Sequence, residues 1–168
     1  MKNIPLTILS ALCILISSVF AEKAEIKTYK GEGFTFDYSS DLQLVEAGAA
    51  IKAVRVHNGK GNQVMFQNYR KHITADKLSD LMMKQLTGQF KDCEELTEKT
   101  ITRKILGVER PGRVLMIYMN AETIIEVSVH TFTHEGNTYC VMAQFPNRDT
   151  RNAEAMFKTI IPTFKTLE

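Results

Sequence analysis

The sequence lacks the short motifs that announce a chemistry. It has no G-x-S-x-G elbow, no phosphate-binding loop and no H-E-x-x-H pair, which removes the commonest serine-hydrolase, nucleotide and zinc-protease signatures. It is also poor in charge of one sign. Its 21 Lys and Arg face 19 Asp and Glu, for a net +2 with the signs interspersed. No basic block or stripe is present, so no nucleic acid partner is implied. Its longest one-sign cluster, Asp92, Glu94, Glu95 and Glu98, reads as a solvated loop after a helix. There is no internal repeat, linker or low-complexity tract. Cysteine is scarce, and no two are spaced C-x-x-C as in a redox site.

Only one long apolar run exists, and it is at the start. Lys2 provides a positive n-region, Ile4 to Phe20 is mainly apolar and uncharged, and Val19-Phe20-Ala21 places small residues at the positions a signal peptidase reads. The expectation is an exported protein cleaved after Ala21. Residues 1–21 are then a signal peptide and 22–168 one domain of charge about +1, since Lys2 is lost. The apolar core is short for a membrane span of about 20 residues. Cys13 is preceded by Leu12 and lies inside the apolar run, so it is not a lipoprotein cysteine. Periplasmic or secreted localisation is implied, with no span in the mature chain.

After the signal the pattern is mainly that of strands. Phe34-Thr35-Phe36-Asp37-Tyr38 alternates strictly, as a half-buried strand does. Weaker strands read at Glu25–Tyr29 and Leu42–Val45. Ala50–His57 and Gln63–Tyr69 flank a glycine loop, Asn58–Asn62, as a hairpin. The period then lengthens. Thr74 can cap a helix over about 75–90, with Asp76 in its first turn and Leu78, Leu81, Met82, Leu86 and Phe90 as the buried stripe. Residues 91–100 read as a connection. Strands follow at Ile101–Val108, ending at an Arg110-Pro111-Gly112 turn, and at Arg113–Met119, Thr123–Thr133 and Thr138–Phe145. A two-residue turn at Glu135-Gly136 sets Thr131 opposite Cys140 and Phe132 opposite Tyr139. Asp149 or Thr150 opens a second helix with the stripe Ala153, Met156, Phe157, Ile160 and Ile161, limited by Pro162. The fold class is α+β, one antiparallel sheet with apolar side chains on both faces, so that both must be covered.

Chemistry-bearing residues are few. His130 and His134 are four apart, about 13 Å on a strand, too far to share a metal. His57 and His72 read as surface or half-buried, and a spatial cluster of His72, His130 and Glu126 would be needed for a hydrolase. A nucleophilic Cys140–His130 pair is disfavoured, because the register puts Val141 opposite His130. Cys93 and Cys140 are an even pair in an exported chain. They are read either as a disulfide, worth roughly 4 kcal/mol in the chain-entropy model, or as two buried thiols. The seven mature methionines, Met65, Met82, Met83, Met116, Met119, Met142 and Met156, could line an apolar pocket or bind copper(I), and packing is the simpler reading. No catalytic residue, metal or cofactor is assigned. Binding is placed on two loops of a rigid sheet: His57, Asn58, Lys60 and Asn62, and the turn His134, Glu135 and Asn137.

The stretch GFTFDYSSDLQLV resembles the opening of the PsbP-like and DcrB-like families. The resemblance continues through ADKLSDLMMKQL, KILGVERPGRVLMIYM, GNTYCVMAQF and AEAMFKTIIPTFKTLE, and spans roughly residues 26–167. It implies a three-layer α/β/α sandwich with helices on both faces of a central antiparallel sheet. It also implies a binding or assembly module of the bacterial envelope rather than an enzyme, acting through an envelope protein or a small ligand. A periplasmic carrier of an apolar molecule and an unrecognised hydrolase are the alternatives.

Overall fold

The structure is a computed structural model that describes residues 24–31, 33–47, 52–146 and 150–167, with the backbone alone for 150–154. The signal peptide expected over 1–21, and Asp149 as a helix cap, lie outside the described residues. No helix among the described residues is long and apolar enough to cross a membrane.

Among the described residues, ten strands and two helices follow one another: β1 (Ile26–Lys30), β2 (Phe34–Ser39), β3 (Gln43–Ala47), β4 (Lys52–His57), β5 (Gln63–Asn68), α1 (Ala75–Gln89), β6 (Glu95–Ile105), β7 (Val108–Asn120), β8 (Thr123–His134), β9 (Asn137–Pro146), α2 (Thr150–Ile160), a 3-10 turn (Ile161–Thr163) and β10 (Lys165–Thr166). The α+β class holds, but the strands make two sheets rather than one. The larger has seven strands in the order β3-β4-β5-β9-β8-β7-β6, and the smaller has the order β1-β2-β10. All described pairings are antiparallel.

Period-two alternation along β9 divides the interior. Tyr139, Val141, Ala143 and Phe145 join one apolar cluster with Phe34 and Phe36 of β2, Met156, Phe157 and Ile160 of α2, and Phe164. Cys140 joins the other, with Leu78, Met82, Met83 and Leu86 of α1 and Leu115, Ile117, Val127 and Val129. The expected sandwich with a helical layer on each face is therefore corrected. The first cluster is closed by the small sheet together with α2, a mixed layer, because the aromatic side chains of β2 fill it. Phe66 stacks on Phe36 at 4.6 Å and on Phe164 at 4.8 Å between ring centroids.

α1 begins where expected, with the Thr74 hydroxyl accepting from the Lys77 N–H at 3.5 Å. Its buried residues are Leu78, Met82, Met83 and Leu86. Leu81 is exposed and Met83 buried, so the stripe is rotated toward Met83 relative to the sequence expectation. Two strand boundaries also differ. Residues 95–100 are the first half of β6 rather than a connection, so Glu95 and Glu98 lie on an edge strand. The hairpin turn is Leu106-Gly107, both at positive φ (54° and 74°), as a tight type I′ hairpin requires. Arg110, Pro111 and Gly112 are inside β7, paired with Arg103, Thr102 and Ile101. Pro111 is tolerated there because the pairing of β7 with β8 ends at Arg113↔Val129, so this part of β7 has β6 as its ladder partner and the missing N–H breaks no bond to β8.

Candidate functional site

The two loops singled out in the sequence are at opposite ends of the large sheet. β5 and β9 run side by side, with Gln63 opposite Gln144 and Asn68 opposite Tyr139. The Asn58–Asn62 loop therefore sits beyond one end of the ladder and the Glu135-Gly136 turn beyond the other, about 25 Å away along β9. One site cannot contain both.

The first loop borders a cleft. Ser39 at the end of β2, Asp41 and Leu42 from the β2–β3 turn, Asn58 and Lys60 from the β4–β5 loop, and Ala155, Met156 and Thr159 from α2 line a depression of about 410 Å³. The loop is shaped by its own polar groups. The Asn58 Oδ1 accepts from the Lys60 N–H at 2.8 Å, His57 Nδ1 accepts from the Gly59 N–H at 3.2 Å, and the Asn58 N–H donates to the Asn62 carbonyl at 3.2 Å. Gly59 and Gly61, at φ 73° and 97°, supply the reversals. Thus His57 acts within the loop, and the Asn62 side chain is buried. Of the four residues read on this loop, Asn58 and Lys60 line the cleft. Asp41 and Lys60 bring opposite charges to it, and neither forms an ion pair among the described residues.

The second loop is a tight type I′ turn, with Glu135 at φ 48° and Gly136 at φ 76°. Its register matches the expectation residue for residue, including Thr131↔Cys140, Phe132↔Tyr139 and His134↔Asn137. His134 lies 3.7 Å from Glu135, whose carboxylate also accepts from the Thr166 hydroxyl at 3.4 Å. These contacts staple the turn to the C-terminal strand.

The remaining chemistry-bearing residues do not converge. His72 is exposed between β5 and α1, while His130 is wholly buried in β8. Glu126 lies four residues before His130, about 13 Å along the strand. Val141 does face His130, and Cys140 belongs to the cluster under α1, so no Cys–His pair forms. No group of three metal-ligating side chains is found among the described residues. Cys93 and Cys140 are both thiols in this structure. Cys93 donates to the Glu95 carbonyl at 3.4 Å, and burial pushes the Cys140 thiol up to about 12.

Sequence reading overlooked a polar group within the sheet. Ser128 and His130 are buried side by side on one face of β8, at 1% and 0% exposure. The His130 ring leans over Gly112 of β7, where a Cβ would collide with it. Burial first, then the positive charge of Arg103, pushes the imidazole down to about 4. The Pro111 and Arg110 carbonyls favour its protonated form more weakly, without forming a well-aligned hydrogen bond to either ring nitrogen. Burial also lowers the Arg103 guanidinium, against the opposing pull of Glu126.

No family model matches the sequence. No curated protein matches it either. Among solved structures, the chain is similar to the solution structure of cyanobacterial PsbP (CyanoP) from Synechocystis sp. PCC 6803, at TM-score 0.58 and 13% identity, over 91% of this chain and 99% of that one. It is more distantly similar to LpqN of Mycobacterium tuberculosis, described as involved in cell envelope biogenesis, at TM-score 0.44 and 10% identity, over 86% of this chain and 92% of that one. The fold is PsbP-like.

Proposed function

We propose that this PsbP-like domain is an exported, non-catalytic accessory module of the bacterial envelope that binds a small polar ligand, or a short segment of a partner protein, in the cleft beside α2. The signal-like residues 1–21, cleaved after Ala21, support export. The observation that carries the binding reading is the cleft itself. Asp41 and Lys60 bring opposite charges to a depression also lined by Ser39, Leu42, Asn58, Met156 and Thr159. Such a pair favours a zwitterionic or amide-rich occupant, because each end of the ligand meets a charge of the other sign. An apolar carrier has less support. Met82, Met83 and Met156 are spent on closing the two cores, and the cleft is bordered by charge. The scattering of His72, His130 and Glu126 gives a hydrolase no support.

Native and denaturing mass spectrometry of protein purified from the periplasm tests this reading. The expected polypeptide begins at Glu22 and carries a non-covalent adduct that is lost on denaturation and weakened in Lys60→Ala and Asp41→Ala. A bare native mass shifts the reading to a partner protein. In that case a photo-crosslinker at position 60 should capture one envelope protein. Failure of both measurements would sink the cleft as the site.

A further inference from the structure

On the other side of α2 from that cleft, positive charge lies unanswered. Arg103 of β6 and Arg110 of β7 are paired across the ladder, and both are half-buried. Each lays its guanidinium on a phenyl ring, Arg103 at 3.7 Å from the Phe157 centroid and Arg110 at 4.7 Å from that of Phe132. Neither guanidinium has a carboxylate or other hydrogen-bond acceptor among the described residues, and the Arg110 Nε is buried without one. The Ser128 hydroxyl and both nitrogens of His130, buried on the same face, make no well-aligned hydrogen bond. Glu126 is the acidic group whose charge reaches Arg103, so the patch remains net positive with the imidazole neutral. Arg113, three residues along β7, shows the ordinary outcome. Its Nε and Nη2 meet Glu98 at 2.6 and 3.1 Å, and its Nη1 meets Asp80 at 2.8 Å.

Buried donors without acceptors cost free energy unless something supplies the acceptors. A guanidinium stacked on an aromatic ring keeps its edge free and fixed in plane, the geometry that recognises an oxyanion through two parallel bonds. We propose that Arg103 and Arg110 form a site for a small oxyanion, a carboxylate or phosphate group. His130, packed over Gly112 of the same stretch of β7, adds no charge to the patch. Phe157 comes from α2 roughly opposite the face that bears Ala155, Met156 and Thr159, at about 100° per residue, so this site and the cleft are separate and can fail separately.

The test follows the arginine Nε–H signals of the uniformly labelled exported protein by NMR, at constant ionic strength and pH 7. Inorganic phosphate is titrated in one arm and succinate in the other. The expected result is a saturable, joint movement of the Arg103 and Arg110 signals at millimolar probe, with Arg113 stationary. The arm that saturates at lower concentration names the oxyanion. Arg110→Gln, and Arg110→Lys, which keeps the charge but loses the planar fork, should each weaken binding about tenfold or more. Lys60→Ala should leave it unchanged. Three results would overturn the site. These are no saturable movement with either probe up to about 20 mM, movement of Arg113 in parallel with the other two, or unaltered binding in a folded Arg110→Gln. The wild-type titration decides the matter even if a variant does not fold.

Discussion

At the scale of single residues, His130 and Gly112 form one unit. The imidazole occupies the volume a side chain on Gly112 would need, so Gly112→Ala overpacks the sheet and should lower stability by about 1–3 kcal/mol. Urea unfolding of Gly112→Ala, His130→Ala and the double variant checks this. The double variant should lose less than the sum, since the smaller side chain makes room for the added methyl. Additive losses would mean that the two do not touch. His130 also ties stability to pH. Its folded value of about 4 is below the ordinary 6.5, so the unfolded chain takes up the proton first. The contribution is complete above about pH 6.5 and is lost as pH falls toward 4, by about 3 kcal/mol at most. The difference in unfolding free energy between the wild type and His130→Gln should slope with pH in that window, and a flat difference would remove His130 from the account. The thiols separate in the same way. With Cys140 wholly buried and Cys93 partly exposed, one thiol per native molecule of residues 22–168 should react with a maleimide and two after denaturation. No reactive thiol before reduction would show that the bridge forms.

At the scale of elements, α1 shows what periodicity can and cannot tell. Its limits and its cap were legible, because Thr74 and the 3–4 spacing of Leu78, Met82 and Leu86 are local signals. Which of Leu81 and Met83 turns inward was not, since that depends on where the sheet meets the helix. Leu78→Ala, at a site with no exposure, should cost about 3 kcal/mol. Leu81→Ala, at a site 43% exposed, should change stability by less than about 0.5 kcal/mol. Thermal melts of the two variants check this, and equal shifts would reverse the assignment. The β8–β9 hairpin was readable to the residue because Glu135-Gly136 is a strong turn signal between two alternating runs. The β6–β7 hairpin was not. Pro111-Gly112 looks like a turn locally, and only the end of the β8 ladder at Arg113 explains why it can stay extended. The same limit hid the arginine patch. Ser128, His130 and Arg110 look like solvent-facing positions of alternating strands, and their burial depends on segments distant in the sequence. The cleft was half legible, because Asn58 and Lys60 sit in an obvious loop while Met156 and Thr159 arrive from the far end of the chain.

At the scale of the whole molecule, the α+β class and the antiparallel pairing were in the sequence, whereas the division into two sheets was not. β10 is two residues long, too short to signal itself, yet it pairs with β2 through Lys165↔Thr35 and Thr166↔Phe34. Phe164 just before it contacts Phe34, Phe66 and Tyr139. Phe164→Ala should therefore cost about 3–5 kcal/mol, more than any truncation of an exposed end would suggest. Calorimetry that shows less than 1 kcal/mol would place the ring outside the core.

That closure joins β2 and β10 in time as well as in space. A ribosome adds about 5–20 residues per second, so Phe34 and Phe36 emerge roughly ten seconds before the ring that completes their stack. Until then the N-terminal aromatic strand has no full set of neighbours, and the nascent chain cannot finish folding from its front end. A protein assembled in this order stays open until residues 164–166 are made. This is the state in which a polypeptide can still be threaded through a narrow channel.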